Sequence, residues 1–285
     1  MTTDPRPVLL GLVGQGIGAS LTPAMQMAEG EAQGLRLLYQ RIDLSALGLG
    51  VEALPDLLTA AERTGFAGLN ITHPCKQAVI PLLHELSEEA RALGAVNTVV
   101  LREGRRVGHN TDCSGYAEAF RRRLGDAPRA RAVQLGAGGA GAAVAHALVG
   151  EGVGELAIFD TDPARAAAVA DAVNARFGAG RARAVRDLAA DVAAAEGLVN
   201  CTPVGMAAHP GTPLEPGLLH ARLWVSEVIY FPLETALLTA ARALGCRTSD
   251  GGGMAVFQAV GAFRLFTGLE PDAGRMLAHF ARLTG

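Results

Sequence analysis

The stretch Ala130-Arg131-Ala132-Val133-Gln134-Leu135-Gly136-Ala137-Gly138-Gly139-Ala140-Gly141 decides how the fold is read. Its first six residues form a short apolar run of strand length. The glycines that follow open a segment, Ala142–Val149, that reads as helix, and Glu155–Phe159 reads as a second strand ending at Asp160. Strand, glycine turn, helix and strand in such close succession form a βαβ unit, which implies a parallel sheet. Gly136, Gly138 and Gly141 satisfy G-x-G-x-x-G in the context that the motif requires, after a strand and at the opening of a helix. These glycines, with Gly139 and Ala140 among them, let backbone N–H groups approach a pyrophosphate at the helix N-terminus, where the dipole favours negative charge. A tight strand-to-helix turn without a ligand would use the same residues.

Asp160 stands 22 residues beyond Gly138. A carboxylate at that strand end accepts hydrogen bonds from the adenosine ribose hydroxyls. It also repels a 2′-phosphate, and Thr161 supplies no cation in compensation, so the pattern favours NAD over NADP. Arg165 lies one turn into the next helix, where it could reach a phosphate or pair on the surface with Asp162 or Asp171.

Working outward, Pro163–Phe177 reads as a helix with Asp162 as N-cap, and Gly197–Asn200, Leu223–Ile229 and Arg247–Asp250 as further strands. This alternation implies a doubly wound α/β domain. The first half alternates as well, without a glycine fingerprint. Strands are expected near Val8–Val13, Leu37–Ile42, Ala67–Ile71 and Val96–Leu101, and helices near Pro23–Ala32, Val51–Arg63 and Pro74–Leu83. Two apolar-periodic stretches, Met254–Leu265 and Pro271–Leu283, have no following strand and suit a helical tail that packs back on the first domain. Ala207–Pro216 reads as a surface loop, and Arg102–Arg106 and Arg121–Arg123 as solvated basic patches.

The chain has 285 residues, 49% hydrophobic and 19% charged, a composition that excludes wholesale disorder. A net charge of −3 gives no general pull toward nucleic acid or an anionic membrane. No apolar run approaches the ~20 residues of a membrane span. Met1–Arg6 lacks a basic n-region and a cleavage site, so no secretion signal is expected. Cys75, Cys113, Cys201 and Cys246 contain no C-x-x-C, and His73 with Cys75 lacks a second ligand pair, so neither a disulfide framework nor a metal site is expected. Reduced thiols and a cytoplasmic setting follow. Of the 25 cationic residues only Lys76 is a lysine. Arginine is almost never deprotonated in a protein, so a compositional bias that spares one lysine either is accidental or marks a place where arginine fails.

Several ordered motifs carry a resemblance. They are Ser20-Leu21-Thr22-Pro23, Gly68-Leu69-Asn70-Ile71-Thr72-His73-Pro74-Cys75-Lys76, Gly94-Ala95-Val96-Asn97-Thr98 and Asn110-Thr111-Asp112. The second half adds Asn200-Cys201-Thr202-Pro203-Val204-Gly205-Met206, Tyr230-Phe231-Pro232 and Asp250-Gly251 through Gln258. From Gly14 to Gly268 the chain resembles the shikimate/quinate dehydrogenases, most closely their NAD-preferring quinate/shikimate branch. The resemblance implies reversible NAD-dependent oxidation of quinate to 3-dehydroquinate and/or shikimate to 3-dehydroshikimate. It implies a substrate-binding and catalytic α/β domain at 1–112, a Rossmann-like NAD domain at 113–253 and C-terminal helices at 254–285 that complete the first domain.

Oxidising a secondary alcohol needs a hydride acceptor and a group that takes the hydroxyl proton. By resemblance, Lys76 and Asp112 form the catalytic pair. Ser20 and Thr22 donate hydroxyls to the substrate carboxylate with help from Tyr230, while Thr72, Asn97 and Gln258 bind ring hydroxyls. Thr202, Pro203, Val204, Val228 and Gly251 belong with Asp160 and Arg165 on the cofactor side. Each polar residue also has a plainer reading: Ser20 and Thr22 as helix caps, Asn97 as a turn former, Gln258 as a helix-surface residue, Asp112 as a cap for Ser114–Leu124. NADP-using members place Asn-Arg-Thr where this chain has Asp160-Thr161-Asp162, and many shikimate-specific members have serine at Thr22. Glu227 replaces a commoner aspartate and has no functional account from sequence. Competing readings are an NADP-dependent biosynthetic shikimate dehydrogenase, an aminoshikimate or aminoquinate dehydrogenase, and a catalytically silent NAD sensor. The expected partner is a small-molecule substrate, with no nucleic acid and no membrane, for a monomer or homodimer.

Overall fold

A computed structural model describes residues 7–285, so the reading of Met1–Arg6 lies outside the described residues. The chain divides into two units, one running up to Thr111 and taking in Val256–Gly285, the other Asp112–Ala255.

The first unit holds strands β1 (Val8–Gly14), β2 (Leu37–Asp43), β3 (Phe66–Ile71), β4 (Glu85–Leu86), β5 (Thr98–Arg102) and β6 (Arg105–His109) in the order β2-β1-β3-β5-β6-β4. β1 pairs in parallel with β2 and β3, whereas β3–β5 and β5–β6 are antiparallel. Side chains alternate across the sheet. Val13, Leu69, Ile71 and Val99 pack on Leu54 and Leu58 of helix Leu54–Arg63. Leu10, Leu12 and Tyr39 pack on Phe263 and Phe266 of helix Gly252–Thr267. A Cβ on Gly68 would stand 2.3 Å from the Phe266 ring, so the tail helix seats closely on β3 only because that position is glycine. Glu29, whose side chain is fully buried, is gripped by Arg275 of the last helix at 2.7 Å through both Nε and Nη2.

Two expectations need correction here. Arg102–Arg106 is the β5–β6 hairpin, exposed from Arg102 to Arg105 as a solvated patch would be, and it turns through Glu103 and Gly104 at φ of 53° and 71°, the backbone that a tight hairpin demands; Arg106 alone departs from that reading. Arg106 is half-buried and donates through Nε and Nη2 to Glu62 at 2.8 Å each. Pro74–Leu83 is not one helix but a short α-helical turn, Cys75–Ala78, and a 3₁₀ turn, Ile80–Leu82, because Pro81 brings no N–H to a continuing helix.

The second unit holds β7 (Arg131–Leu135), β8 (Glu155–Phe159), β9 (Ala182–Ala184), β10 (Gly197–Asn200), β11 (Trp224–Glu227) and β12 (Arg247–Ser249). All are parallel, in the order β12-β11-β10-β7-β8-β9. This is the doubly wound dinucleotide-fold order, and it reverses between β7 and β10. Helix Gly139–Gly150 follows β7 directly, and Asp162 caps Pro163–Phe177 by accepting Ala164 N–H at 3.0 Å. The short β9 and helices Leu188–Ala194 and Ala236–Ala243 carry no clear sequence signal. Among the described residues no helix is long and apolar enough to cross a membrane.

The Glu29–Arg275 pair generates a prediction. Burial raises the Glu29 carboxyl, but Arg275, Asp272 N–H and Gln33 together hold it below its usual range. Arg275→Met leaves the buried Glu29 carboxylate without its guanidinium and should lower the melting temperature at pH 7. A carboxyl held low contributes stability above its unfolded pKa and loses it as pH falls through the folded one. The melting-temperature gap between wild type and variant, followed by calorimetry, should therefore narrow between about pH 5 and 3; a constant gap would refute the assignment.

Candidate active site

At the end of β7 the backbone turns through Gly136 at φ +96°. A Cβ on Gly136 would stand 2.8 Å from the Cys201 carbonyl carbon, and one on Gly141 would stand 2.3 Å from Gly136 O. Both glycines are thus required by backbone packing. Gly138 differs: it is the N-terminal cap of helix Gly139–Gly150, no side chain caps the helix, and a Cβ there would meet nothing within 4 Å. Close backbone around an open, uncapped helix N-terminus fits the pyrophosphate of a dinucleotide. Gln134, missed in the sequence, is fully buried and donates through Nε2 to both Gly136 O and Gly141 O at 2.9 Å, stapling the loop.

Asp160 follows β8 directly. Its Oδ2 accepts Ala137 N–H at 2.7 Å and its Oδ1 accepts Asp162 N–H at 2.9 Å. The carboxylate is therefore held against the glycine loop with lone pairs left to accept ribose hydroxyls. Arg165 is exposed, with Nε 3.4 Å from Asp162 Oδ2.

Across the switch point, Asn200 ends β10. Its Oδ1 accepts Thr202 N–H at 2.9 Å and the Thr202 hydroxyl at 2.7 Å, while its Nδ2 donates to Val204 O at 3.0 Å. Thr202 Oγ1 accepts Val204 N–H at 3.1 Å. Thr202, Pro203 and Val204 thus form one tied loop beside the glycine turn. Gly251 donates its N–H to Ile229 O at 3.1 Å, and a Cβ on it would stand 2.4 Å from Val228 O, so the Val228 and Gly251 backbones abut. Tyr230 follows two residues later, half-buried, its phenol raised by burial. Asp112 is buried and is the first residue of helix Asp112–Leu124, which begins before the Ser114 start expected from sequence. Glu227, also buried, carries a carboxyl that burial pushes up to about 7 against the hydrogen bonds it accepts.

In the first unit the candidates gather at one end of the sheet, where β1 and β3 finish and the antiparallel β5 begins. Asp43 cradles the loop after β1: its Oδ1 accepts Gly16 N–H at 3.0 Å and its Oδ2 accepts Ile17 N–H at 2.9 Å. Arg41 donates to the Ser20 backbone carbonyl at 2.8 Å, holding the chain just before helix Thr22–Ala32. No side chain caps that helix; Ser20 Oγ accepts Thr22 N–H at a long 3.4 Å. Thr72 follows β3, donating its N–H to Val13 O at 2.9 Å, and fits because its neighbour is Gly14. Lys76 is half-buried on the Cys75–Ala78 turn, and its carbonyl accepts Val96 N–H at 2.9 Å, which sets it beside Asn97.

Asn97 is no simple turn former. Its Nδ2 donates to Thr111 Oγ1 at 2.9 Å, and its Oδ1 accepts Thr111 N–H at 2.8 Å and the Thr98 hydroxyl at 2.9 Å. Asn70 continues this buried chain by donating to Thr98 Oγ1 at 3.0 Å and accepting the Tyr39 hydroxyl at 2.6 Å. Gln258 is half-buried on helix Gly252–Thr267, next to Ala259, whose carbonyl accepts Gln26 Nε2 at 2.9 Å. Arg41, Asp43, Tyr39 and Gln134 carry no motif signal; their partners lie on other elements.

Known proteins match the chain over nearly its whole length. Residues 12–99 match the family model described as the shikimate dehydrogenase substrate binding domain. The chain is 60% identical to a shikimate dehydrogenase (NADP(+)) of Streptomyces avermitilis, with 100% of this chain and 98% of that protein covered. It is 54% identical to a quinate/shikimate dehydrogenase (NAD(+)) of Corynebacterium efficiens, with 97% and 98% covered. Among solved structures, quinate dehydrogenase from Corynebacterium glutamicum in complex with NAD superposes with a TM-score of 0.92 at 52% identity, covering 97% of this chain and 99% of that one. The chain belongs to the shikimate/quinate dehydrogenase family of oxidoreductases.

Proposed function

We propose that this protein is an NAD-preferring dehydrogenase that oxidises quinate and/or shikimate reversibly at the ring C3 hydroxyl. The observation that carries the cofactor preference is Asp160, a carboxylate fixed at the end of β8 against the glycine loop, with Thr161 and Asp162 rather than a cation after it. Its negative charge accepts ribose hydroxyls and opposes a 2′-phosphate. The name of the Corynebacterium efficiens relative supports this reading, and that of the Streptomyces avermitilis relative supports the NADP alternative.

When bound, the nicotinamide supplies the hydride acceptor. The chain handles everything else. Ser20 and Thr22 donate hydroxyls to the substrate carboxylate, Tyr230 helps, and Thr72, Asn97 and Gln258 hold ring hydroxyls. Several neutral donors in place of an arginine make affinity a sum of modest bonds. The buried Tyr39–Asn70–Thr98–Asn97–Thr111 chain fixes the Asn97 amide before substrate arrives. Lys76 takes the proton from the hydroxyl being oxidised, with Asp112 as its carboxylate partner. Gly136–Gly141, Thr202–Val204, Val228 and Gly251 receive the dinucleotide, and Arg165 is the nearby cation on the adenosine side.

Two variants test these roles. Asp160→Ala should lower kcat/KM with NAD and raise NADP use relative to NAD by about tenfold, about 1.4 kcal/mol; an unchanged ratio sinks the ribose assignment. Lys76→Arg should keep charge and fold yet lose about 10²–10⁴-fold in kcat, because arginine does not exchange a proton in this pH range. Normal turnover by that variant would reduce the lone lysine to codon bias.

A further inference from the structure

The second unit buries one carboxylate that the proton chemistry does not use. Glu227, at the end of β11, is 1% exposed. Asn200 Nδ2 donates to its two oxygens at 3.0 and 3.1 Å, and Thr235 Oγ1 donates at 3.0 Å. The backbone N–H groups of Val228 and Ile229 help to hold its pKa down, and Val228 N–H itself donates to Asn200 O at 3.2 Å. These partners are all neutral donors, and they come from three segments. Asn200 shapes Thr202–Val204, as described above. Thr235 caps helix Ala236–Ala243 by accepting Leu238 N–H at 3.2 Å. Val228 and Ile229 lead from β11 into the backbone that abuts Gly251 and on to Tyr230.

We propose that Glu227 is a positioning residue: an acceptor-only clamp that orients the Asn200 amide and thereby holds the Thr202–Val204 loop in the shape that receives the dinucleotide. The proposal rests on the reading of that loop as cofactor-binding. Above about pH 7, where burial sets its titration, the carboxyl is ionised and only accepts hydrogen bonds, which matches a site where its neighbours donate. A buried carboxylate among neutral groups is expensive to desolvate. What it contributes in return is direction. With the oxygen pair on Glu227 fixing Nδ2, the Asn200 Oδ1 can face only the Thr202 N–H and hydroxyl. A glutamine would turn an NH₂ toward at least one of the donors and loosen that choice.

Calorimetric titration of the full-length protein with NAD, together with steady-state kinetics, tests this. Glu227→Gln should raise both Kd and KM for NAD about tenfold while kcat at saturating NAD stays within about threefold of wild type. Glu227→Asp keeps the acceptor chemistry and should stay within about threefold of the wild-type Kd. Thr235→Val removes one donor while keeping side-chain shape and should raise Kd about threefold, which carries the comparison if Glu227→Gln does not fold. A lower melting temperature or kcat with unchanged Kd would show a structural role only and overturn the proposal, as would Glu227→Asp binding no better than Glu227→Gln. Thr202→Ala separates the two layers. If it weakens NAD binding and the Glu227 and Thr235 variants do not, the clamp alone is wrong. If Thr202→Ala leaves Kd unchanged, the loop reading fails and the clamp fails with it.

Discussion

The close backbone packing at the end of β7 is the constraint on which the dinucleotide unit depends. Gly136 must adopt φ +96°, and no side-chain atom fits between it and Cys201 or between Gly141 and Gly136 O. These contacts bring the loops after β7 and β10 together where the strand order reverses, the place where open α/β sheets bind ligands. The same packing leaves the N-terminus of helix Gly139–Gly150 uncovered at Gly138. Fold and cofactor site therefore share one geometric requirement. Gln134 and Asp160 then hold the loop from the side with hydrogen bonds to its carbonyls and to Ala137 N–H.

The first unit reaches a comparable rigidity with neutral groups. Tyr39, Asn70, Thr98, Asn97 and Thr111 form a buried chain of hydroxyls and amides. A chain of this kind resists rearrangement, because breaking one link strands a buried polar atom at a cost of about 1–3 kcal/mol. Asp43 and Arg41 hold the Ser20 loop from β2 in the same way, with a carboxylate on two N–H groups and a guanidinium on a carbonyl. Polar side chains with individually modest binding energy gain specificity when they are already in place.

What the sequence made legible was local. The βαβ unit stood out because strand run, glycine fingerprint and helix are contiguous, and the Asp162 cap was readable one residue before Pro163. The α/β class follows from the alternation of elements, and the division into two domains from the resemblance. Pairings between distant residues stayed hidden. The Arg106–Glu62 pair spans 44 residues, and without it β6 looked like a solvated basic stretch. The Asn200–Glu227 bond spans 27, so Glu227 was only an unexplained substitution until burial and its donors were seen together. The helix broken at Pro81 shows the reverse case, where the local signal, a proline inside the expected helix, is itself in the sequence.

Membership in the shikimate/quinate dehydrogenase family leaves the cofactor to be decided by the end of β8, and relatives named for either dinucleotide match over nearly the whole chain. The proposed preference for NAD rests on Asp160, the carboxylate held at that strand end. The most direct measurement is steady-state kinetics of the purified wild-type protein over quinate and shikimate, each with NAD and with NADP. The expected result is turnover of at least one of the two substrates, with kcat/KM for NAD about tenfold or more above that for NADP, a difference of about 1.4 kcal/mol. A higher kcat/KM with NADP would contradict it.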